Sequence, residues 1–146
     1  MIEEQSGASL LERAKAVLLH PREEWPVIEG EASSIASLYK SYIMPLAAIG
    51  PVAGFIHAVV FGNSFFGITH RPSFLSALST AVVSYIFTLI GVFLMALVID
   101  FLAPRFGGTA NRNNAFKLAA YSATAAWVAG AFQLIPGLGM LGILGL

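Results

Sequence analysis

Thr80-Ala81-Val82-Val83-Ser84-Tyr85-Ile86-Phe87-Thr88-Leu89-Ile90-Gly91-Val92-Phe93-Leu94-Met95-Ala96-Leu97-Val98-Ile99 is nearly all large apolar residues, and Asp100 closes it. About 20 such residues, rising about 1.5 Å each as a helix, cross a hydrocarbon layer of roughly 30 Å. Working outward, the same signal recurs. Residues 41–70, 72–99 and 118–146 carry no Asp, Glu, Lys or Arg. Spans are therefore expected near 43–62, 79–100 and 118–136. The fold class is all-α, a polytopic helical membrane protein with three complete spans. The third span is the most polar, with Tyr121, Ser122, Thr124 and Gln133. It should prefer protein neighbours to bare lipid.

Composition agrees. Of 146 residues, 57% are hydrophobic and 11% charged, against about 45–50% and about 25% in soluble domains. Seven of the eight acids and four of the eight bases lie in residues 1–40. This predicts a short cytoplasmic, amphipathic N-terminal region (1–40) before a transmembrane domain (41–146). Residues 1–8 read as a frayed end. Ser9 and Glu12 fit a capping box for a helix bearing Leu10, Leu11, Ala14, Val17 and Leu18 at helical spacing. Pro21 stops it and starts a second helix carrying Glu23, Glu24 and Trp25. These short helices are expected to lie near a membrane surface or on the protein's own body. Met1-Ile2-Glu3-Glu4 lacks the basic start of a cleavable signal peptide.

Basic residues set the orientation. The head holds four, loop 63–78 holds Arg71, and loop 101–117 holds Arg105, Arg112 and Lys117. The positive-inside rule puts the N-terminus and the second loop in the cytoplasm. Within the first span, Pro45 and Pro51 should kink the helix. Gly50 and Gly54 form a small-x-x-x-small pair suited to close helix packing. Beyond Pro136, an apolar stretch from Leu138 to Leu146 is too short to span. It reads as a truncated fourth span of a longer chain.

Catalysis has little foothold. There is no cysteine, no His-Glu-x-x-His and no Gly-x-Ser-x-Gly; Gly107-Gly108 lacks a phosphate-loop lysine. His20, His57 and His70 have no metal-ligand spacing. No catalytic residue, cofactor or metal is expected, and zero net charge argues against nucleic acid as a partner. The expected contacts are the lipid bilayer, other membrane proteins or a second copy. The candidate interaction motif is Asp100, Pro104, Arg105, Gly107, Gly108, Lys117 and Tyr121. Pro104 ends the second span and Gly107-Gly108 permits a tight turn. Asp100 reads either as an interfacial stop signal for the second span or as a partner of Arg105, Arg112 or Lys117. Lys117 is favoured, because a short loop brings the facing helix ends together.

Asp100-Phe101-Leu102-Ala103-Pro104, Phe106-Gly107-Gly108, Ala115-Phe116-Lys117-Leu118 and Ala120-Tyr121-Ser122-x-Thr124 together resemble the bacterial branch of the Yip (Ypt/Rab-interacting protein) family. Asp100 to Pro104 is similar to its Asp-Leu-Tyr-Gly-Pro signature, without the central tyrosine and glycine. His20-Pro21-x-x-x-Trp25-x-x-Ile28, Tyr42-x-x-Pro45-Leu46-Ala47-Ala48-Ile49 and Leu134-Ile135-Pro136-x-Leu138-Gly139 extend the resemblance across nearly the whole chain. It implies five spans and a cytosolic N-terminal region. Eukaryotic members are associated with Rab-type GTPases, machinery that bacteria lack. Ala125 stands where the family pattern has proline, which removes the family's reason for a kink in the third span. The expected function is that of a non-enzymatic membrane scaffold. The alternative is a small transporter or channel subunit built on the kinked first helix, with His57, Tyr121, Ser122, Thr124 and Gln133 as its polar groups.

Overall fold

The computed structural model describes residues 2–135. Pro136, Gly137 and the segment read as a truncated fourth span lie outside the described residues. The described elements are helical except for one hairpin. Helix α1 runs Ile2–Leu19 and α2 runs Pro21–Gly30. Pro21 divides them as expected, since proline is tolerated in a first turn but not inside α1. Ser9 does not cap α1. The helix is already formed from Ile2, so the expected frayed start is corrected.

The first apolar segment, 35–60, is helical but broken twice. Helix α3 (Ile35–Leu38) is capped by the Ser34 hydroxyl, which accepts from the Ser37 N–H at 3.1 Å. It widens into a π turn at Tyr39–Ile43, where the Met44 N–H reaches back five residues to the Tyr39 carbonyl. Pro45 explains the widening: its ring would crowd the carbonyl of Ser41 in a regular helix. Helix α4 (Met44–Ala47) gives way at Ala48 to α5 (Ile49–Val60). Pro51 then sits in the first turn of α5, where its missing N–H costs nothing.

A β-hairpin follows, which the sequence reading took as plain loop. Strand β1 (Asn63–Phe65) pairs antiparallel with β2 (Ile68–His70), Asn63 opposite His70. Phe66 (φ 48°) and Gly67 (φ 80°) both take positive φ, as a two-residue type I′ turn needs. The Ser64 and Thr69 hydroxyls hydrogen-bond across the strands at 2.8 Å.

Helix α6 spans Phe74–Leu102 and runs into a 3-10 turn at Ala103–Phe106. It extends beyond the expected 79–100 at both ends. Among the described residues, 35–60 and 74–106 are long and apolar enough to cross a membrane. The segment from 112 is shorter-stepped: α7 (Arg112–Ser122), a turn at Ala123, α8 (Thr124–Ala129) and a 3-10 turn at Gly130–Leu134. The segment is broken at Ala123 although Ala125 stands in place of the family's proline. Thr124 is fully buried; its hydroxyl lies 2.8 Å from the Tyr42 hydroxyl and 3.4 Å from the Ala120 carbonyl. Such back-bonding to position i−4 bends helices without proline.

The chain divides into two compact units. Among the described residues, one holds 2–45 and 90–124, and the other holds 46–89 and 125–135. The first has a core of Ile28, Ile43, Phe116 and Thr124. Rings bind it further: Phe116 meets Phe93 at 5.4 Å and Tyr39 at 6.1 Å. In the second, α5 lies along the 3-10 turn 130–134.

Candidate functional site

Helix α7 is started by Asn111, whose side chain accepts from the Asn114 N–H at 3.2 Å. One turn on, Ala115, Phe116 and Lys117 are all buried. A buried ammonium must be satisfied. Lys117 Nζ donates to the carbonyls of Ile28 (2.8 Å), Glu29 (3.3 Å) and Glu31 (2.5 Å). These are carbonyls at the end of α2, where a helix has no internal donors and gathers partial negative charge. The last turn of α2 holds no base, and Glu29 and Glu31 add negative charge there. Lys117 supplies the missing cation from another helix.

Arg13 of α1 reinforces the junction by pairing with both Glu24 and Glu31. Burial opposes its charge, but the attraction of Glu31, strengthened by their hydrogen bond, outweighs this and holds its pKa above the usual value. Tyr121 completes the junction. Its ring lies 4.5 Å from that of Tyr42 and 6.5 Å, edge-on, from Trp25.

The favoured partnership of Asp100 with Lys117 is therefore corrected. Asp100 Oδ2 faces Arg112 Nε at 3.7 Å, and Arg112 is 66% exposed. Asp100 Oδ1 is buried and accepts no hydrogen bond from the described residues. The three carbonyls at the end of α2 outcompete one carboxylate for the lysine. Arg105 stacks over the Phe101 ring at 4.5 Å. Pro104 lies in the 3-10 turn, and Gly107 ends it with φ 84°, a left-handed conformation costly for other residues. The Gly108 N–H donates to the Ala103 carbonyl at 2.9 Å.

In the second unit, a Cβ on Gly54 would meet Gln133 Oε1 at 3.0 Å, and one on Gly50 would meet nothing within 4 Å. A Cβ on Gly130 would lie 2.9 Å from the Gly50 Cα. The close approach thus depends on Gly130, which the sequence reading did not single out. Nearby is a cavity of about 750 Å³. Ser76, Thr80, Ser84 and Thr88 line it at four-residue spacing along α6, with Trp127 and Gln133 among the facing residues. His57 does not line it, and its Nδ1 is buried without a partner among the described residues. No group of three or more His, Asp or Glu residues is gathered for a metal among the described residues.

The chain thus combines an acidic helix end clamped by a lysine with two helices, 35–60 and 74–106, long and apolar enough to cross a membrane. Comparison with known proteins sharpens this: the chain belongs to the Yip1 domain family, which matches residues 15–146. It is 30% identical over 118 residues to the inner membrane protein YohC of Escherichia coli K12. The same match is found in the YohC protein of Escherichia coli O6:H1. That stretch covers 80% of this chain and 60% of the relatives, so the chain spans under two thirds of their length. No solved structure matches.

Proposed function

We propose that the chain is a non-enzymatic scaffold of the bacterial inner membrane, working through contacts with lipids or other membrane proteins. Its N-terminus lies in the cytoplasm, and 118–136 forms a third span. The carrying observation is the head junction. Lys117 and Arg13 spend their polar groups on holding α1 and α2 in place. That leaves Leu11 (68% exposed), Leu18 and Leu19 outward on the head. Exposed apolar residues on a clamped helix suit a contact surface. The inner-membrane location of YohC, in its printed name, supports the location. The test is a photo-crosslinking residue at Leu11 or Leu18 in cells. Adducts with lipid or protein, absent when the same group replaces Glu23, support the reading. Equal labelling at all three positions overturns it.

The 750 Å³ cavity favours a second reading, a carrier for a neutral solute. Its hydroxyl stripe offers hydrogen bonds, and His70 is the one titratable residue on its wall among the described residues. Proteoliposomes that swell no faster in glycerol or small sugars than empty vesicles would end it.

A further inference from the structure

Beside Lys117 lies a smaller cavity of about 380 Å³, wholly inside the first unit. Arg22, Trp25 and Ile28 of α2 face Asn114, Lys117 and Leu118 of α7 across it. Its polar groups are mostly donors. Arg22 has no ion pair among the described residues. The Trp25 indole N–H and the Asn114 carboxamide make no hydrogen bond there either. Lys117 is 5% exposed and held by carbonyl dipoles alone, with no carboxylate within ion-pair distance. Unspent donors from Arg22, Trp25 and Asn114 around one cavity favour an anion there. Among the described residues, Glu29 is the one acid on the wall.

We infer that this cavity seats the phosphodiester group of an anionic glycerophospholipid. The Arg22 guanidinium offers the two-pronged donor geometry that a phosphate oxygen pair accepts. Trp25 and Asn114 supply neutral donors beside it. Pro26, Ile28 and Leu118 form an apolar wall suited to the glycerol ester and the first methylenes. A soluble phosphate would have no use for that wall. The position fits too, because Leu118 opens the charge-free run to residue 146. The cavity thus stands where charged sequence yields to apolar sequence, at the depth tryptophan favours in a bilayer. The inference extends the scaffold reading by naming a lipid partner. Its test reads binding alone, so it stands or falls apart from any protein partner.

The test is native mass spectrometry of the full chain, released from detergent with equal phosphatidylglycerol and phosphatidylcholine of matched acyl chains. Phosphatidylglycerol should be retained preferentially. Arg22→Gln should lower that preference about fivefold, the value of one cation at a lipid surface. Asn114→Ala should lower it less, and Lys15→Gln on α1, outside the cavity, should leave it unchanged. Circular dichroism checks the helix content; Arg22 is exposed and its loss should not unfold the chain. Equal retention of the two lipids overturns the inference. So does a preference that survives Arg22→Gln and Asn114→Ala together. Displacement of the lipid by millimolar inorganic phosphate would assign the cavity to a soluble anion instead.

Discussion

Lys117 shows how a single residue can serve a helix to which it does not belong. Its ammonium adds a charged donor to three carbonyls at the end of α2, where Ile28 and Glu31 also accept the backbone N–H groups of Glu31 and Ser33, so removing it should weaken the junction. Lys117→Met keeps much of the side-chain volume and deletes the charge. It should lower stability by about 1–3 kcal/mol, the usual cost of losing charged hydrogen bonds to buried groups. Thermal unfolding in mild detergent reads this directly, and an unchanged midpoint would show that the contact contributes nothing. Asp100 and Arg112 should behave differently. At 3.7 Å, with one partner largely in solvent, their pair is worth about 0–1 kcal/mol. Arg112→Ala should therefore shift the midpoint little. A double-mutant cycle of Asp100 with Lys117 should show no coupling, whereas the cycle with Arg112 should show a small one.

At the scale of the element, prolines explain the breaks within 35–60 but not the one at Ala123. Pro45 and Pro51 each coincide with a local break, and both were visible in the sequence. The turn at Ala123 follows from a threonine hydroxyl buried against Tyr42, which depends on a residue 82 positions away. The glycines of α5 carry a similar lesson. Their spacing drew attention to Gly50 and Gly54, yet Gly130 has the tightest surroundings of the three. Gly130→Ala must push backbone against backbone and should cost about 1–3 kcal/mol, as overpacking does. Gly54→Ala meets only the movable end of Gln133 and should cost less. Gly50→Ala should cost little or nothing. The order of the three melting points in detergent tests this; Gly50→Ala as the worst of them would overturn it.

For the whole molecule the open question is which side of the membrane each loop occupies. The count of bases predicts residues 63–78 outside and 101–117 inside. The chain has no cysteine, so single cysteines report cleanly. An impermeant thiol reagent on intact cells should label Asn63→Cys or Ser73→Cys and spare Thr109→Cys or Asn113→Cys. The reverse pattern would invert the protein. Asn63 and Ser73 are exposed beside the hairpin, so failure to label would reflect sidedness rather than burial.

The sequence by itself determined the class of protein, because a charge-free run long enough to cross a bilayer is a property of consecutive residues. It also determined the head's two helices and their division at Pro21, since proline acts on its own turn. The family was legible in short motifs kept in order. The partner of Lys117 was not, although one sign was present: α2 ends in two glutamates with no base, an arrangement that calls for a cation from elsewhere. The hairpin was half legible in Gly67, but Phe66 gave no warning of a positive φ. Which glycine sets the helix approach, which base meets Asp100 and which hydroxyl bends the third segment were decided only in the tertiary structure. Each depends on distances between residues far apart in the chain, and local pattern carries no record of those distances.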